Sequence, residues 1–283
     1  MDLTAEIENN VSQALAEDIG TGDLTASLLP PHEAATATVI TRETAVLCGA
    51  GWFEAAFRQL SPQAEVRWFA QDGDALDAGQ KLCEITGPAR ALLTAERTAL
   101  NFLQALSAVA TRTRLYVDAV AKTGALIVDT RKTLPGLRIA QKYAVRCGGG
   151  TNHRLGLYDG ILIKENHIIA AGGIAPALRA ARKIAPPGVF IQIEVETLAD
   201  LHTALDAGAK LVLLDNFDLD ALCEAVILSV RVTNRAAALE ASGGITLDNV
   251  RAVAETGVDR ISVGSLTKDI KAVDLSMRFS PIV

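Results

Sequence analysis

From residue 125 onward the chain repeats one pattern, and this repeat constrains the fold more than any other feature: a short apolar run, a polar stretch, then an amphipathic segment. The apolar runs are Ala125 to Val128, Gly160 to Ile163, Val189 to Val195, Leu211 to Leu214, Ala236 to Leu239 and Arg260 to Val263. They are short, rich in β-branched residues or Leu, and several are apolar on both faces, as parallel strands covered by helices are. Between them Ile174 to Ile184, Leu198 to Ala207, Leu219 to Val232 and Leu247 to Glu255 read as helices. Asp220 and Asp248 stand near helix starts, and Gly208 and Gly257 follow helix ends. Spacings of roughly 20 to 35 residues between strands fit βα units. Two α/β architectures remain: a (β/α) barrel, for which six strands fall short of eight, or an open doubly wound sheet.

The polar residues favour the barrel. Just past the strands lie Asp129-Thr130-Arg131-Lys132, Lys164-Glu165-Asn166-His167, Glu194 with Glu196, Asp215-Asn216, Glu240-Ala241-Ser242-Gly243-Gly244 and Gly264-Ser265. Every strand therefore ends in side chains capable of chemistry. In a barrel those ends converge on one mouth. In an open sheet only the ends beside the switch point would.

The preceding part reads differently. Alternating β-prone runs (Ala37 to Leu47, Glu65 to Ala70, Lys81 to Thr86) are separated by turns at Asp72-Gly73-Asp74 and Ala78-Gly79-Gln80, which suggests a small antiparallel sheet. A helix is expected over Leu3 to Asp18 and a long one over Ala95 to Thr123, with Thr94 as N-cap and Glu96 in the first turn. Along the long helix Leu100, Leu103, Ser107 and Ala110 form a buried stripe, while Arg97, Asn101 and Gln104 form a polar face, ordinarily a solvent face.

Composition excludes several classes. The 27 basic and 33 acidic residues give a net charge of −6, against a surface for nucleic acid. No apolar run reaches the ~18 residues of a membrane span, and the start, Met1 to Asn10, is acidic where a signal peptide would be basic and apolar. Cys48, Cys83, Cys147 and Cys223 show neither close pairing nor metal-ligand spacing, so reduced, buried thiols and a cytoplasmic protein are expected.

The net value hides a local reversal. From Arg131 to Lys164 seven basic residues face Asp159 alone, so this stretch carries +6 and the remainder −12. A solvated helix face accounts for Arg138, Lys142 and Arg146, spaced i, i+4. It does not account for Arg131, Lys132 and Lys164 at strand ends, nor for His153 and Arg154 after Gly148-Gly149-Gly150. Arginine forks match carboxylates, so a concave cluster of Arg131, Lys132, Arg154 and Lys164 implies a small, multiply anionic ligand. Ser242-Gly243-Gly244 and Gly264-Ser265, in the final two units, are where barrels commonly receive phosphate. Glu194, Glu196 and Asp215 close the set. Carboxylates facing a polyphosphate call for a divalent cation, Mg²⁺ above all; the other reading is ion pairs with the basic cluster.

The motifs Asp129-Thr130-Arg131-Lys132-Thr133, Asn152-His153-Arg154, Gly160 to His167, Glu194-Val195-Glu196, Leu214-Asp215-Asn216 and Ala241 to Ile245 resemble the quinolinate phosphoribosyltransferase family. Glu17 to Gly20, Gly22 to Thr25 and Glu96 to Asn101 extend the resemblance over nearly the whole chain. It implies an N-terminal α/β sandwich domain over 1–110, an incomplete (β/α) barrel over 111–270, and a tail, 271–283, returning to the first domain. It implies transfer of phosphoribose from phosphoribosyl pyrophosphate (PRPP) to quinolinate with loss of CO₂, in NAD biosynthesis, with Mg²⁺ and a homodimer whose sites are shared. By resemblance Arg131, Lys132, His153, Arg154 and Lys164 surround quinolinate, Arg97 arrives from the partner, and Thr130 is a further substrate-binding residue. Glu194 and Asp215 then face the ribose and its metal-bound pyrophosphate, while Ser242, Gly243, Gly244, Gly264 and Ser265 receive the 5′-phosphate. Lys132, Lys164, Glu194 and Asp215 are the catalytic candidates. Three other readings compete: a related protein with another acceptor, of the molybdenum-transport-associated type; a Schiff-base lyase using Lys164; and a non-catalytic anion sensor.

Overall fold

The computed structural model describes residues 3–30 and 33–280; Met1 and Asp2 of the acidic start and positions 281–283 of the expected tail lie outside the described residues. The chain divides into two compact units, one holding residues up to Arg114, Thr133–Gly149 and the chain from Thr267 on, the other Leu115–Lys132 and Gly150–Leu266. No described helix is long and apolar enough to cross a membrane.

In the first unit α1 (Thr4–Ile19) is followed by β1 (Ala34–Thr41), β2 (Ala45–Val46), α2 (Ala50–Leu60), β3 (Glu65–Trp68), β4 (Ala75–Leu76), β5 (Lys81–Pro88) and α3 (Ala89–Ala119), whose residues from Leu115 on belong to the second unit. A final strand, β12 (Leu275–Phe279), joins an antiparallel sheet of order β12-β1-β5-β3. Along β1 the buried positions alternate, with Ala35, Ala37, Val39 and Thr41 inward, as period-2 side chains on a one-sided sheet require. The core is built around Trp52, Phe53 and Phe57 of α2, with Phe53 packing edge-on against Trp68 of β3.

Several expectations need correction here. The long helix starts at Ala89, so Thr94 is not its N-cap; within the helix its hydroxyl donates to Arg90 O at 2.9 Å or to Asp23 Oδ2 at 2.8 Å. The expected stripe Leu100, Leu103, Ser107 and Ala110 is buried, and Arg97 and Asn101 are exposed. Residues 133–149 fall in the first unit, where α4 (Arg138–Cys147) packs on α1. Its basic residues do not share a solvated face: Arg146 is exposed, Arg138 half-buried and Lys142 wholly buried. Nor are the cysteines uniformly buried, since Cys223 is exposed and Cys147 half-buried. Burial pushes the Cys83 thiol up.

The second unit contains β6 (Leu126–Val128), β7 (Gly160–Ile163), α5 (Glu165–Ala171), α6 (Ile174–Ile184), β8 (Phe190–Val195), α7 (Leu198–Asp206), β9 (Leu211–Asp215), α8 (Leu219–Thr233), β10 (Ala238–Ser242), α9 (Val250–Glu255), β11 (Arg260–Ser262) and the start of α10 (Ser265–Lys268). Its six strands are parallel, in the order β6-β11-β10-β9-β8-β7. The last strand thus pairs with the first, as closure of a barrel demands, and only the β6–β7 seam is open. The short segment after α4 enters that seam. Thr151 N–H donates to Ile127 O at 2.8 Å, Thr151 O accepts from Asp129 N–H at 3.1 Å, and Arg154 Nη1 donates to Gly160 O at 3.0 Å. The architecture is an incomplete (β/α) barrel and a separate N-terminal α/β unit.

Helix ends obey local chemistry. Thr197 caps α7 by accepting from Asp200 N–H, and Asp218, two residues before the Asp220 singled out by the sequence, caps α8 by accepting from Ala221 N–H. Gly208 and Gly257 follow α7 and α9 with φ of 79° and 93°. The fifth barrel strand lies further on than expected: it starts at Ala238 and carries Glu240 and Ala241 inside it.

Candidate active site

One pocket collects most of the predicted residues. From the end of β6 come Thr130, Arg131 and Lys132; from the seam segment, His153 and Arg154; from the ends of β7, β8 and β10, Lys164, Glu194 and Ser242. Strands that end level with one another deliver these side chains to the same mouth, because successive βα units keep their C-terminal ends on one side.

Asp129 positions the seam. Wholly buried, it accepts from His153 N–H at 2.8 Å and from Asn152 Nδ2 at 2.6 Å, fixing the segment that carries His153 and Arg154. The imidazole is held in one form. Arg154 N–H donates to His153 Nδ1 at 2.7 Å, so that nitrogen is an acceptor, and Nε2–H points to Gln192 Oε1 at 2.6 Å. This bonding pattern assigns the neutral Nε2–H tautomer.

The pocket carries excess positive charge. Arg154 is buried, and burial together with the adjacent Arg131 guanidinium holds it below the usual guanidinium value. Arg131 Nε is buried and without a hydrogen-bond partner among the described residues. A buried donor left unpaired costs ~1–3 kcal/mol, more when charged, so this pair of arginines is built for an anionic acceptor.

On the opposite side Lys164 Nζ donates to Glu194 Oε2 at 2.8 Å, the lysine side chain being half exposed and the glutamate largely covered. A solvated, salt-bridged ammonium is the reverse of the desolvated amine that imine chemistry needs, so the Schiff-base reading loses its support. Glu196 lies beyond the end of β8 and is exposed, and it does not line the pocket.

Asp215 ends β9 in register with Ser242 of β10, and its Oδ2 accepts from Asn216 Nδ2 at 2.9 Å. Asn216 N–H in turn donates to Ser242 O at 2.9 Å. Gly243 (φ 99°) has to be glycine, since a Cβ there would run into the Asn216 side-chain amide. Gly264 brings the end of β11 against β6: a Cβ would meet Lys132 Cδ at 3.3 Å and Thr130 Oγ1 at 3.8 Å. Ser265 Oγ lies 3.3 Å from the Tyr116 hydroxyl. Gly243, Gly244, Gly264, Ser265 and Asp215 thus stand at the strand ends without lining the pocket itself. Arg97 belongs to the first unit, exposed on α3.

Two residues, Gln192 and Ser262, escaped the sequence reading, and a third, Glu240, entered it only as a residue past a strand end. Gln192 is wholly buried beneath His153, while Glu240 and Ser262 line the pocket floor. Glu240 is 2.9 Å from Arg260 Nε, is hydrogen-bonded by the Ser262 hydroxyl and lies 3.9 Å from His153 Nε2. Each sits two residues before a strand-end residue already singled out: Glu194, Ser242 and Gly264. Period-2 extension into the strand was the available signal.

Fold and pocket together define a (β/α)-barrel enzyme for small, multiply anionic substrates, of the pentosyltransferase kind. Residues 23–107 match the family description "Quinolinate phosphoribosyl transferase, N-terminal domain" and residues 109–278 the corresponding C-terminal domain. The chain belongs to the quinolinate phosphoribosyltransferase family. It is 41% identical over 272 residues to a probable carboxylating nicotinate-nucleotide pyrophosphorylase of Bacillus subtilis, covering 96% of this chain and 93% of that one. The carboxylating nicotinate-nucleotide pyrophosphorylase of Mycobacterium leprae is 41% identical over 278 residues, covering 95% of each. Among solved structures, the nicotinate-nucleotide pyrophosphorylase of Francisella tularensis superposes with a TM-score of 0.94 at 44% identity, over 99% of this chain and 98% of that one.

Proposed function

We propose that this chain transfers the phosphoribosyl group of PRPP to quinolinate, releasing pyrophosphate and CO₂ and yielding nicotinate mononucleotide for NAD biosynthesis. The relatives' names give the reaction, and one observation in this chain carries it: buried Arg154 beside half-buried Arg131, whose covered Nε–H has no partner among the described residues. Quinolinate brings two carboxylates, which answer two arginine forks. His153, held neutral, adds no further charge beside them, and Lys132 and Lys164 flank the same space.

The remaining residues suit the charge that develops. Loss of pyrophosphate leaves positive charge at ribose C1, where the carboxylates of Glu194 and Asp215 stabilise it. Attack by the pyridine nitrogen then makes the ring a pyridinium. That electron sink lets the neighbouring carboxylate leave as CO₂, and the ring carbon takes a proton. Lys132, exposed at the end of β6, is the candidate to assist this step. Ser242, Gly243, Gly244, Gly264 and Ser265 are the proposed 5′-phosphate subsite.

Glu194 and Asp215 are hard oxygen donors on adjacent strands, a donor set that fits Mg²⁺, which leans on one or two carboxylates plus substrate phosphates. Bound there, it would supply neutralisation of the pyrophosphate charge. The reading includes a cytoplasmic homodimer. Leu24 and Leu28 of the first unit, 89% and 82% exposed, give an apolar surface for a second copy to cover, and Arg97 is free to reach it.

Mixing the protein with quinolinate and PRPP should release nicotinate mononucleotide, pyrophosphate and CO₂ in equal amounts. Product without CO₂ would sink the reaction, and turnover unchanged by a chelator would sink Mg²⁺. If sites are shared, inactive Arg97→Ala and Lys164→Ala protomers should recover activity on mixing. No recovery despite subunit exchange argues against a shared site.

A further inference from the structure

The first unit holds a second cluster of chemically capable side chains, which the proposed reaction does not use. Cys48 lies between β2 and α2, Asp72 between β3 and β4, and Cys147 at the end of α4. The two Sγ atoms and one carboxylate oxygen of Asp72 all lie within 4.8 Å of one another. Sequence spacing concealed them, because 99 positions separate the two thiols. We propose that Cys48, Asp72 and Cys147 bind one soft divalent cation of the zinc class.

The ligand types come first. Two thiolates and a carboxylate are a set Zn²⁺ accepts, and tetrahedral bonds of ~2.3 Å to sulfur and ~2.1 Å to oxygen place such ligands ~3.6–3.8 Å apart. The observed separations need contract by about 1 Å at most. Two thiolates with one carboxylate would bring −3 into a largely covered site, which only a cation makes tolerable; its binding would release the two thiol protons to solvent.

Neighbouring residues fix the positions of the three ligands. The Ser107 hydroxyl clamps Cys48 from both sides, accepting from its N–H at 3.0 Å and donating to its carbonyl at 3.1 Å. Asp72 Oδ1 accepts from Gly49 N–H at 3.0 Å and Ala50 N–H at 3.1 Å, at the start of α2. Its other oxygen, Oδ2, accepts from the Tyr143 hydroxyl at 2.8 Å, one turn before Cys147 on α4. That is the outer-shell bond which orients a ligating carboxylate. Behind Cys147, Gly148 is pressed against Ala110 O and Thr113 so closely that no Cβ fits. Access is through the half-buried Asp72 and Cys147, Cys48 being the inner ligand.

Co²⁺ is the probe, titrated into the full-length, chelator-treated protein under reducing conditions. The expected result is a thiolate-to-cobalt charge-transfer band with tetrahedral d–d bands, saturating at one equivalent and displaced by Zn²⁺. Cys147→Ser should abolish the band. Asp72→Asn, which keeps the oxygen that caps α2, should weaken binding, and Tyr143→Phe, which removes the bond that orients the carboxylate, should weaken it by about 10–100-fold. Zn²⁺ should raise the melting temperature of the wild type and leave that of Cys147→Ser unmoved. The proposal is overturned if reduced thiols give no charge-transfer band, if the band survives in Cys147→Ser, or if Cys48 and Cys147 form a disulfide in preference to binding metal. Since Cys147 is half-buried, its variant tests the site even should Cys48→Ala fail to fold. Metal stoichiometry is the readout, so failure here leaves the proposed reaction untouched.

Discussion

Replacing Glu240 by alanine should destabilise the protein far more than replacing it by glutamine. The carboxylate is wholly buried, with Oε2 at 2.9 Å from Arg260 Nε and Oε1 on the Ser262 hydroxyl. Removing one partner of a buried ion pair costs ~3–5 kcal/mol, because the surviving charge stays buried. Two details put Glu240→Ala at the lower end: the Arg260 side chain is 21% exposed, and the contact is ionic rather than a well-aimed hydrogen bond. Glutamine keeps the shape. Its carbonyl can face Arg260 while its amide donates to Ser262 Oγ, so only the charge-assisted part is lost, about 1 kcal/mol. At ~2–4 °C per kcal/mol, calorimetry should find a fall of roughly 6–12 °C for alanine, from a loss of ~3 kcal/mol, and about 2–4 °C for glutamine. The double variant Glu240→Ala/Arg260→Ala should recover part of the loss, since no charge is then stranded. Equal falls for alanine and glutamine, or a double variant as unstable as the two single losses added, would refute the argument.

Acid unfolding should report on Asp23, whose carboxylate accepts from Ala26 N–H, the Thr94 hydroxyl and Thr25 N–H, the first of these doing most to hold it below the usual carboxylate value. A depressed folded-state value means that the contribution is full above the unfolded value of ~3.9 and disappears as pH falls through the folded one. Asp23→Asn should therefore flatten stability against pH in that window, and an unchanged acid limb would show that these bonds contribute nothing. Gly148 has an ordinary φ, so Gly148→Ala tests space alone: its Cβ would lie 2.6 Å from Thr113 Cβ and closer still to Ala110 O. Overpacking of ~1–3 kcal/mol or more should lower the melting temperature, and no change would mean that α4 and α3 are not tightly packed there.

What was legible in the sequence follows from the range of the physics. Six parallel strands and the pocket residues at their ends were readable because strand, polar end and helix are local signals repeated in order. The pairing of β6 with β11 and the Thr151 bridge were not, since both depend on contacts distant in sequence. Glu196, named with Glu194, stands where the strand has already ended and its side chain meets solvent, so period 2 carried outward from Glu194 leaves the pocket. Applied inward it reaches Gln192, the partner of His153. Reading the fifth barrel strand as ending at Leu239 placed Glu240 in a loop, although it is an inward-facing strand residue. Lys142 shows the converse error: i, i+4 spacing marks one helix face but does not say whether water or protein lies against it.

The segment from Thr151 to Arg154 joins two tasks that most barrels keep apart. Its backbone stands in for the missing stave between β6 and β7, and its side chains hold the proposed ligand. Seam closure and ligand affinity are therefore thermodynamically linked: whatever a bound dicarboxylate gains from Arg154 also strengthens the hydrogen bonds of Thr151 to Ile127 and Asp129. Amide exchange at Thr151 and Asp129 should accordingly slow as quinolinate occupies the pocket, making the weakest edge of the barrel a gauge of occupancy.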